Sequence, residues 1–217
     1  MFLPLVLAAM PLLSTPSIAA GTYSYRASIG GQSTGTSTIV VKHGAADTVI
    51  DEQSSGSIGG MNASATATLV LGPDLSPASY SGSYVGQGQS ATTTLSVVGH
   101  GANLTGPGGP QAFTLLPPAT HFAVIDGALL AGFIALPAQM QAWNDAPIDA
   151  IAPIYGRAIP LSTEPATAAV RPAGIAAKDI ALGIGGPYPF TIWYDPATFV
   201  TDRLDVPSQG IVITRVP

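Results

Sequence analysis

The chain contains no cysteine, and only 9% of its 217 residues are charged. The first absence excludes disulfides, thiol chemistry and lipid attachment at a lipobox cysteine, so stability has to come from packed secondary structure alone. The second is uneven in sign: seven Lys and Arg stand against twelve Asp and Glu, a net charge of −5. The basic residues Arg26, Lys42, Arg157, Arg171, Lys178, Arg203 and Arg215 are scattered singly. With no basic patch to neutralise phosphates, nucleic acid is excluded as a partner and anionic lipid surfaces exert no pull. The three histidines, His43, His100 and His121, form no H-x-x-x-H pair, so the sequence carries neither a metal-site nor a cofactor signature.

What is present points to β structure. Hydrophobic residues make up 47% of the chain, and 25 Gly and 20 Pro are spread through it, which suits short strands joined by turns. Residues 1–20, MFLPLVLAAMPLLSTPSIAA, read as a secretory leader with cleavage after Ala19 or Ala20, although the n-region has no Lys or Arg. Its apolar run is short of the roughly 20 residues that span a bilayer, so no integral membrane segment is expected once the leader is removed. Residues 21–217 then form a single β-rich domain, periplasmic or secreted.

Period-two alternation supports this. Tyr23, Tyr25, Ala27 and Ile29 alternate with Ser24, Arg26 and Ser28, and a Gly-Gly turn leads into a second β-branched run, which predicts a hairpin. From Met61 to Leu71 every second residue is apolar, the signature of a half-buried strand. Further strands are expected near 48–53, 78–85, 91–98, 150–161, 166–171, 175–184, 190–194, 200–206 and 211–216. The segment Gly99 to Pro110, GHGANLTGPGGP, predicts the main irregular loop.

One stretch breaks the pattern. His121 to Met140, HFAVIDGALLAGFIALPAQM, predicts a helix capped by Thr120 and ended or kinked at Pro137, with apolar residues on every side. Such a helix has to be enclosed. The fold expected is mainly β: a strongly curved antiparallel sheet or half-barrel wrapped around one central apolar helix.

Catalytic signatures are weak. Gly31-Gln32-Ser33-Thr34-Gly35 matches a nucleophile elbow, but it lies between two strands, where glycines simply make the turn. On a helix, His121 and Asp126 would lie about 140° apart and cannot pair. A buried Asp126 without a cation would have a raised pKa, a property concentrated at functional sites. The carboxylate pairs Asp145/Asp149 and Asp202/Asp205 match no calcium loop, and Trp193-Tyr194-Asp195-Pro196 followed by Phe199 reads as a hairpin bearing aromatics.

Three stretches carry a family resemblance: Tyr23-Ser24-Tyr25 with Gly31 and Gly35, the HFAVIDGALLAGF segment, and the closing PFTIWYDPATFVTDRLDVPSQGIVITR, in which Trp193, Asp195, Gly210 and Arg215 match. The layout resembles exported bacterial proteins of unknown function that share a curved sheet with the lipoprotein-carrier fold and with DUF3108-type periplasmic domains. The resemblance implies that fold and, by analogy, a non-enzymatic role in holding a lipid or other apolar small molecule. No catalytic residue is assigned. The residues expected to line the ligand site are His121, Phe122, Asp126, Phe133, Trp193 and Tyr194. Two alternatives stay open: a scaffold that docks an envelope protein, and a hydrolase with a site in the 99–126 region.

Overall fold

A computed structural model of the protein describes residues 16–58, 60–98, 101–114, 121–127, 129–164 and 171–217. The first eight strands are β1 (Gly21–Ile29), β2 (Gln32–His43), β3 (Thr48–Ile58), β4 (Met61–Leu71), β5 (Pro77–Gly86), β6 (Gln89–Val98), β7 (Gly101–Gly106) and β8 (Gly109–Thr114). A three-residue strand β9 (Phe122–Val124) leads to the helix α1 (Ala131–Ala142). The remaining strands are β10 (Ile148–Ala152), β11 (Arg157–Glu164), β12 (Ile180–Gly185), β13 (Phe190–Tyr194), β14 (Thr201–Val206) and β15 (Ile211–Val216).

All fifteen belong to one sheet, in the order β8-β7-β6-β5-β4-β3-β2-β1-β15-β14-β13-β12-β11-β10-β9. Every neighbouring pair is antiparallel except β9 and β10. The sheet curls around α1 without closing its hydrogen bonds, because the edge strands β8 and β9 do not pair with each other. Packing bridges the gap instead: β9 lies against β5, and a single 3-10 turn at Pro153–Tyr155 lies against β6 and β7. The expected curved sheet around one apolar helix is what the chain forms.

Several elements differ from the sequence expectation. The helix begins at Ala131, and Phe122–Val124 is a strand, because three apolar residues beside an open sheet edge gain ladder hydrogen bonds with β10. The proposed cap Thr120 lies outside the described residues. Leu130 precedes the helix without a side-chain cap, and Pro137 sits inside it. Interior proline costs one backbone bond, and enclosure of nine of the twelve helical residues holds the helix together across it. The described part of Gly99 to Pro110 is not an irregular loop: Gly101–Gly106 pairs with Gly109–Thr114, so the glycines there make a hairpin, while residues 99 and 100 lie outside the described residues. The run 150–161 is broken by the 3-10 turn, and regular structure in 175–184 begins only at Ile180. Residues 166–170 of another predicted strand lie outside the described residues.

Strand direction defines two ends. Upper turns join β1 to β2 and β5 to β6; lower turns join β2 to β3 and β4 to β5. The helix starts at the height of Glu52, midway along β3, and runs down to Trp143, whose indole Nε1–H donates to the Asp74 carbonyl in a lower turn (3.0 Å). Its twelve residues span about 18 Å, whereas an eleven-residue strand such as β4 spans roughly 36 Å along its own axis. A helix of this length fills only the lower part of the enclosure.

At Glu52 and below it the inward positions are large: Ile39, Val41, Ile50, Leu69, Leu71 and Leu95 are at most 2% exposed. They meet Leu136, Ile134 and Met140 of the helix in one core. Gly132 marks the tightest approach, since a Cβ there would lie 1.8 Å from the Val124 carbonyl oxygen. Residues 16–20, placed in the leader by their sequence, lie against the lower end. Ile18 is fully buried, its carbonyl bonds His43 Nε2 (2.9 Å), and Ala19 N–H donates to the Thr198 carbonyl (2.8 Å).

Candidate functional site

Above the helix the same strands continue with small inward residues. Gly35 and Ser37 on β2, Ser54 and Gly56 on β3, and Ala63 and Ala65 on β4 border an open cavity of about 630 Å³. The alternation that buries Leu69 and Leu71 therefore points Met61 into open space, where it is 49% exposed. A second cavity of about 400 Å³ adjoins the first, with Ala27 and Thr34 bordering both. Its walls are apolar, with Leu130 and Phe133 from the helix segment facing Ile159, Phe190, Leu204 and Ile213. Phe133 packs edge-to-face on Phe190, ring centroids 5.2 Å apart.

Two buried carboxyl groups lie where the hollow part meets the packed part. Glu52, 2% exposed, accepts from the backbone N–H groups of Leu130 (2.6 Å) and Ala131 (2.8 Å), so a side chain of the sheet caps the otherwise uncapped helix. Ser54 Oγ donates to the other Glu52 oxygen (2.5 Å) and lies 2.7 Å from Ser37 Oγ, which links the capped helix to the cavity wall. Burial pushes the Glu52 carboxyl above its ordinary value despite these donors.

Asp126 is the second, also 2% exposed. Tyr80 O–H donates to its Oδ2 (2.6 Å), while Oδ1 has no partner. The Tyr84 hydroxyl approaches the same carboxyl without completing a hydrogen bond, and Thr93 Oγ1 is likewise buried and unpartnered. Burial raises Asp126 too, against the lowering effect of the two tyrosines. Gly82 makes this grouping feasible: a Cβ there would meet the Tyr80 hydroxyl at 2.6 Å. Tyr84 borders the larger cavity, and Ile125 and Gly127, on either side of Asp126, border the smaller.

The six residues expected to form one site are not brought together. Phe133 lines the apolar cavity, and Asp126 adjoins it from a loop, not from the helix. Phe122 is a buried core residue of β9. His121 stacks on Trp143 at the lower end (4.8 Å, 13°), with its Nδ1 3.2 Å from Ser76 Oγ. That serine donates its own proton to Asp74 (2.9 Å) and so is not activated by the histidine. Trp193 lies under the Arg171 guanidinium (5.3 Å), and Tyr194 stacks on Phe199 (5.9 Å); neither borders either of these two cavities. Ser33 is an ordinary exposed residue of β2.

Glu52, Tyr80 and Tyr84 were missed. Register held their signal: Glu52 falls on the inward phase of β3 between Ile50 and Ser54, and Tyr80 and Tyr84 share the inward face of β5. A lower acidic group holds two ion pairs, Lys178 with Asp195 (2.6 Å) and Arg215 with Asp202, beside a fully buried Asp179 whose two carboxyl oxygens have no hydrogen-bond partner. Among the described residues no group of three His, Cys, Asp or Glu is placed to hold a metal ion.

No family model matches the chain, and no curated protein matches it in sequence. Its structure is similar to a β-barrel-like protein of the domain of unknown function DUF1849 from Brucella abortus, with a TM-score of 0.60 at 7% identity, covering 92% of this chain and 97% of that one. A DUF1089-family protein from Pseudomonas aeruginosa aligns over 80% of this chain and 90% of its own at a TM-score of 0.49 and 11% identity. At such identities the likeness to the first concerns the fold: the chain is a β-barrel-like protein whose open sheet encloses one helix.

Proposed function

We propose that this is an exported, non-enzymatic binding protein that holds an apolar or lipid-like small molecule in the hollow upper half of its sheet. The observation that carries the reading is the 400 Å³ apolar cavity against the helix, which opens toward a second cavity of 630 Å³. Pockets of a few hundred Å³ with apolar walls and a few convergent polar groups are the usual form of small-molecule sites. A scaffold needs no such space, and a packed core would leave none. The leader-like first twenty residues support export, and the resemblance of the sequence layout to lipoprotein-carrier-like proteins supports an acyl chain as occupant. The absence of a serine, histidine and acid in working order at Ser33, Ser76 or His121 supports a role without chemistry.

Native mass spectrometry of the purified full-length protein, followed by solvent extraction, tests this. A bound species of a few hundred daltons that extracts into organic solvent is the expected result. A bare protein that also takes up no added long-chain amphiphile rejects the reading.

A further inference from the structure

Charges and exposed apolar side chains are sorted to opposite ends of the molecule. Besides β1 to β2 and β5 to β6, the upper connections are β3 to β4, β7 to β8, β10 to β11, β12 to β13 and β14 to β15, since antiparallel neighbours alternate in direction. From the last residue of one strand to the first of the next, these connections contain a single charged residue, Arg157. The lower connections carry Asp47, Asp74, Asp145, Lys178, Asp179 and Asp195. Large hydrophobic residues show the reverse bias. Ile29, Met61, Val85, Tyr155 and Tyr188 are exposed at the upper end, against Val98 and Ile180 at the lower. All five upper residues border one or other of the two cavities.

An end stripped of charge and set with apolar side chains loses little on leaving water, whereas desolvating the charged lower end would be costly. Tyrosine suits the polar layer of a bilayer in particular, because its ring is apolar and its tip is wet. The lone cation fits the same place: the Arg157 guanidinium lies 5.5 Å from the centre of the Tyr155 ring, where it can meet a lipid phosphate. Taken round the sheet, the five residues fall on β5, β4, β1, the β12 to β13 turn and the β10 to β11 turn, so they encircle an opening. A rigid protein partner would have to bridge that hollow; a fluid lipid surface conforms to its rim. We propose that the upper rim docks on a bilayer of zwitterionic lipid, with Ile29, Met61, Val85, Tyr155 and Tyr188 inserted among the head groups. Anionic lipid offers no advantage, because the protein has a net charge of −5 and no basic patch. The rim alone carries this partner, separately from what fills the cavities. Where the binding reading also holds, docking sets the cavity mouths against lipid, and an apolar molecule enters without crossing water.

The chain has no cysteine, so Val85→Cys at the upper end and Val98→Cys at the lower each place one fluorescent label on the full-length protein. The labelled proteins are titrated with phosphatidylcholine vesicles whose acyl chains carry a quencher, a local readout in which membrane contact by the leader does not count. Saturable quenching at position 85 with little at 98 is expected, and raising the salt should not weaken it. In the Val85→Cys background, Tyr155→Glu with Tyr188→Glu should raise the lipid needed at least about tenfold. Those two side chains are 62% and 50% exposed, so the fold tolerates the change. No quenching at 85 leaves the rim to a protein partner and overturns the proposal. Equal quenching at both positions, a requirement for anionic lipid, or a double variant that binds as well as its parent also overturns it. Each of these results leaves the ligand reading, tested by native mass spectrometry, standing.

Discussion

The lower and upper halves of β2 to β6 share the same strands, ladder and inward phase, yet one is packed and the other hollow. On β2 to β4 the inward residues below Glu52 are Val41, Ile50, Leu69 and Leu71, with Ile39 opposite it; above it they are Ser37, Gly35, Ser54, Gly56, Ala65 and Ala63, with Met61 at the open end. Secondary structure is indifferent to the change, because a strand is defined by its backbone pairing. Volume is not indifferent. Large side chains meet the helix and close on it, whereas Gly, Ala and Ser reach too little of the space above its first turn to fill it. The comparison teaches that the gap is written in residue size at inward positions, and the 18 Å helix leaves it open.

The largest expected effect lies in the packed half. Leu69→Ala removes a fully buried side chain and should cost about 2–5 kcal/mol, read from urea unfolding, whereas a loss under 1 kcal/mol would mean that the lower half is not packed as described. A chain starting at Gly21 gives up the Ile18 slot and the bonds of residues 18 and 19. It should lose roughly 1.5–3 kcal/mol relative to one starting at Pro16, and equal urea midpoints would show that this segment adds nothing. Gly132→Ala places a methyl against the Val124 carbonyl and should cost about 1–3 kcal/mol through a forced shift of β9 or the helix; calorimetry showing no loss would contradict that approach.

A subtler effect separates the boundary between the halves from the surface. Asp126 and Glu52 are raised above 3.8 and 4.5, so the folded state binds their protons more tightly than the unfolded one. Their contribution is fully present below those ordinary values and is lost as pH rises through the folded values. Asp51 and Asp195 are lowered and act in the opposite direction. The difference between the wild type and Asp126→Asn isolates the effect: relative to the variant, the wild type should weaken between pH 4 and pH 7, and a gap that does not change would place Asp126 in contact with water.

Much of this contrast was legible in the sequence, and the parts that were not have physical causes. Strand β4 coincides with the alternating run Met61 to Leu71, and the first hairpin turns at Gly30–Gly31, because period two and glycine punctuation are local signals. The helix was placed ten residues too early, since Phe122-Ala123-Val124 is apolar in either state and only the open edge of β10 makes it a strand. Gly99 to Pro110 looked like a loop because hairpin glycines and loop glycines are the same residues. The hollow was present as the small inward set of β2 to β4, but alternation alone registers that Ala65 and Leu69 are apolar and ignores how far each reaches. Asp126 was found for its burial, while its partner Tyr80 and the nearby Tyr84 lie more than forty positions away and become neighbours only when β5 meets β9.

The smallest effect on stability accompanies the decisive effect on function. Ala27→Leu adds bulk at a position that borders both cavities, so it should change unfolding free energy by less than about 1 kcal/mol. Titrating a neutral apolar dye into wild type and Ala27→Leu tests the account most directly. Saturable binding by the wild type, abolished or cut at least about tenfold in a variant of unchanged stability, is the predicted result. Equal binding by both proteins, or none by the wild type, would contradict the claim that the upper half of the sheet is a ligand site.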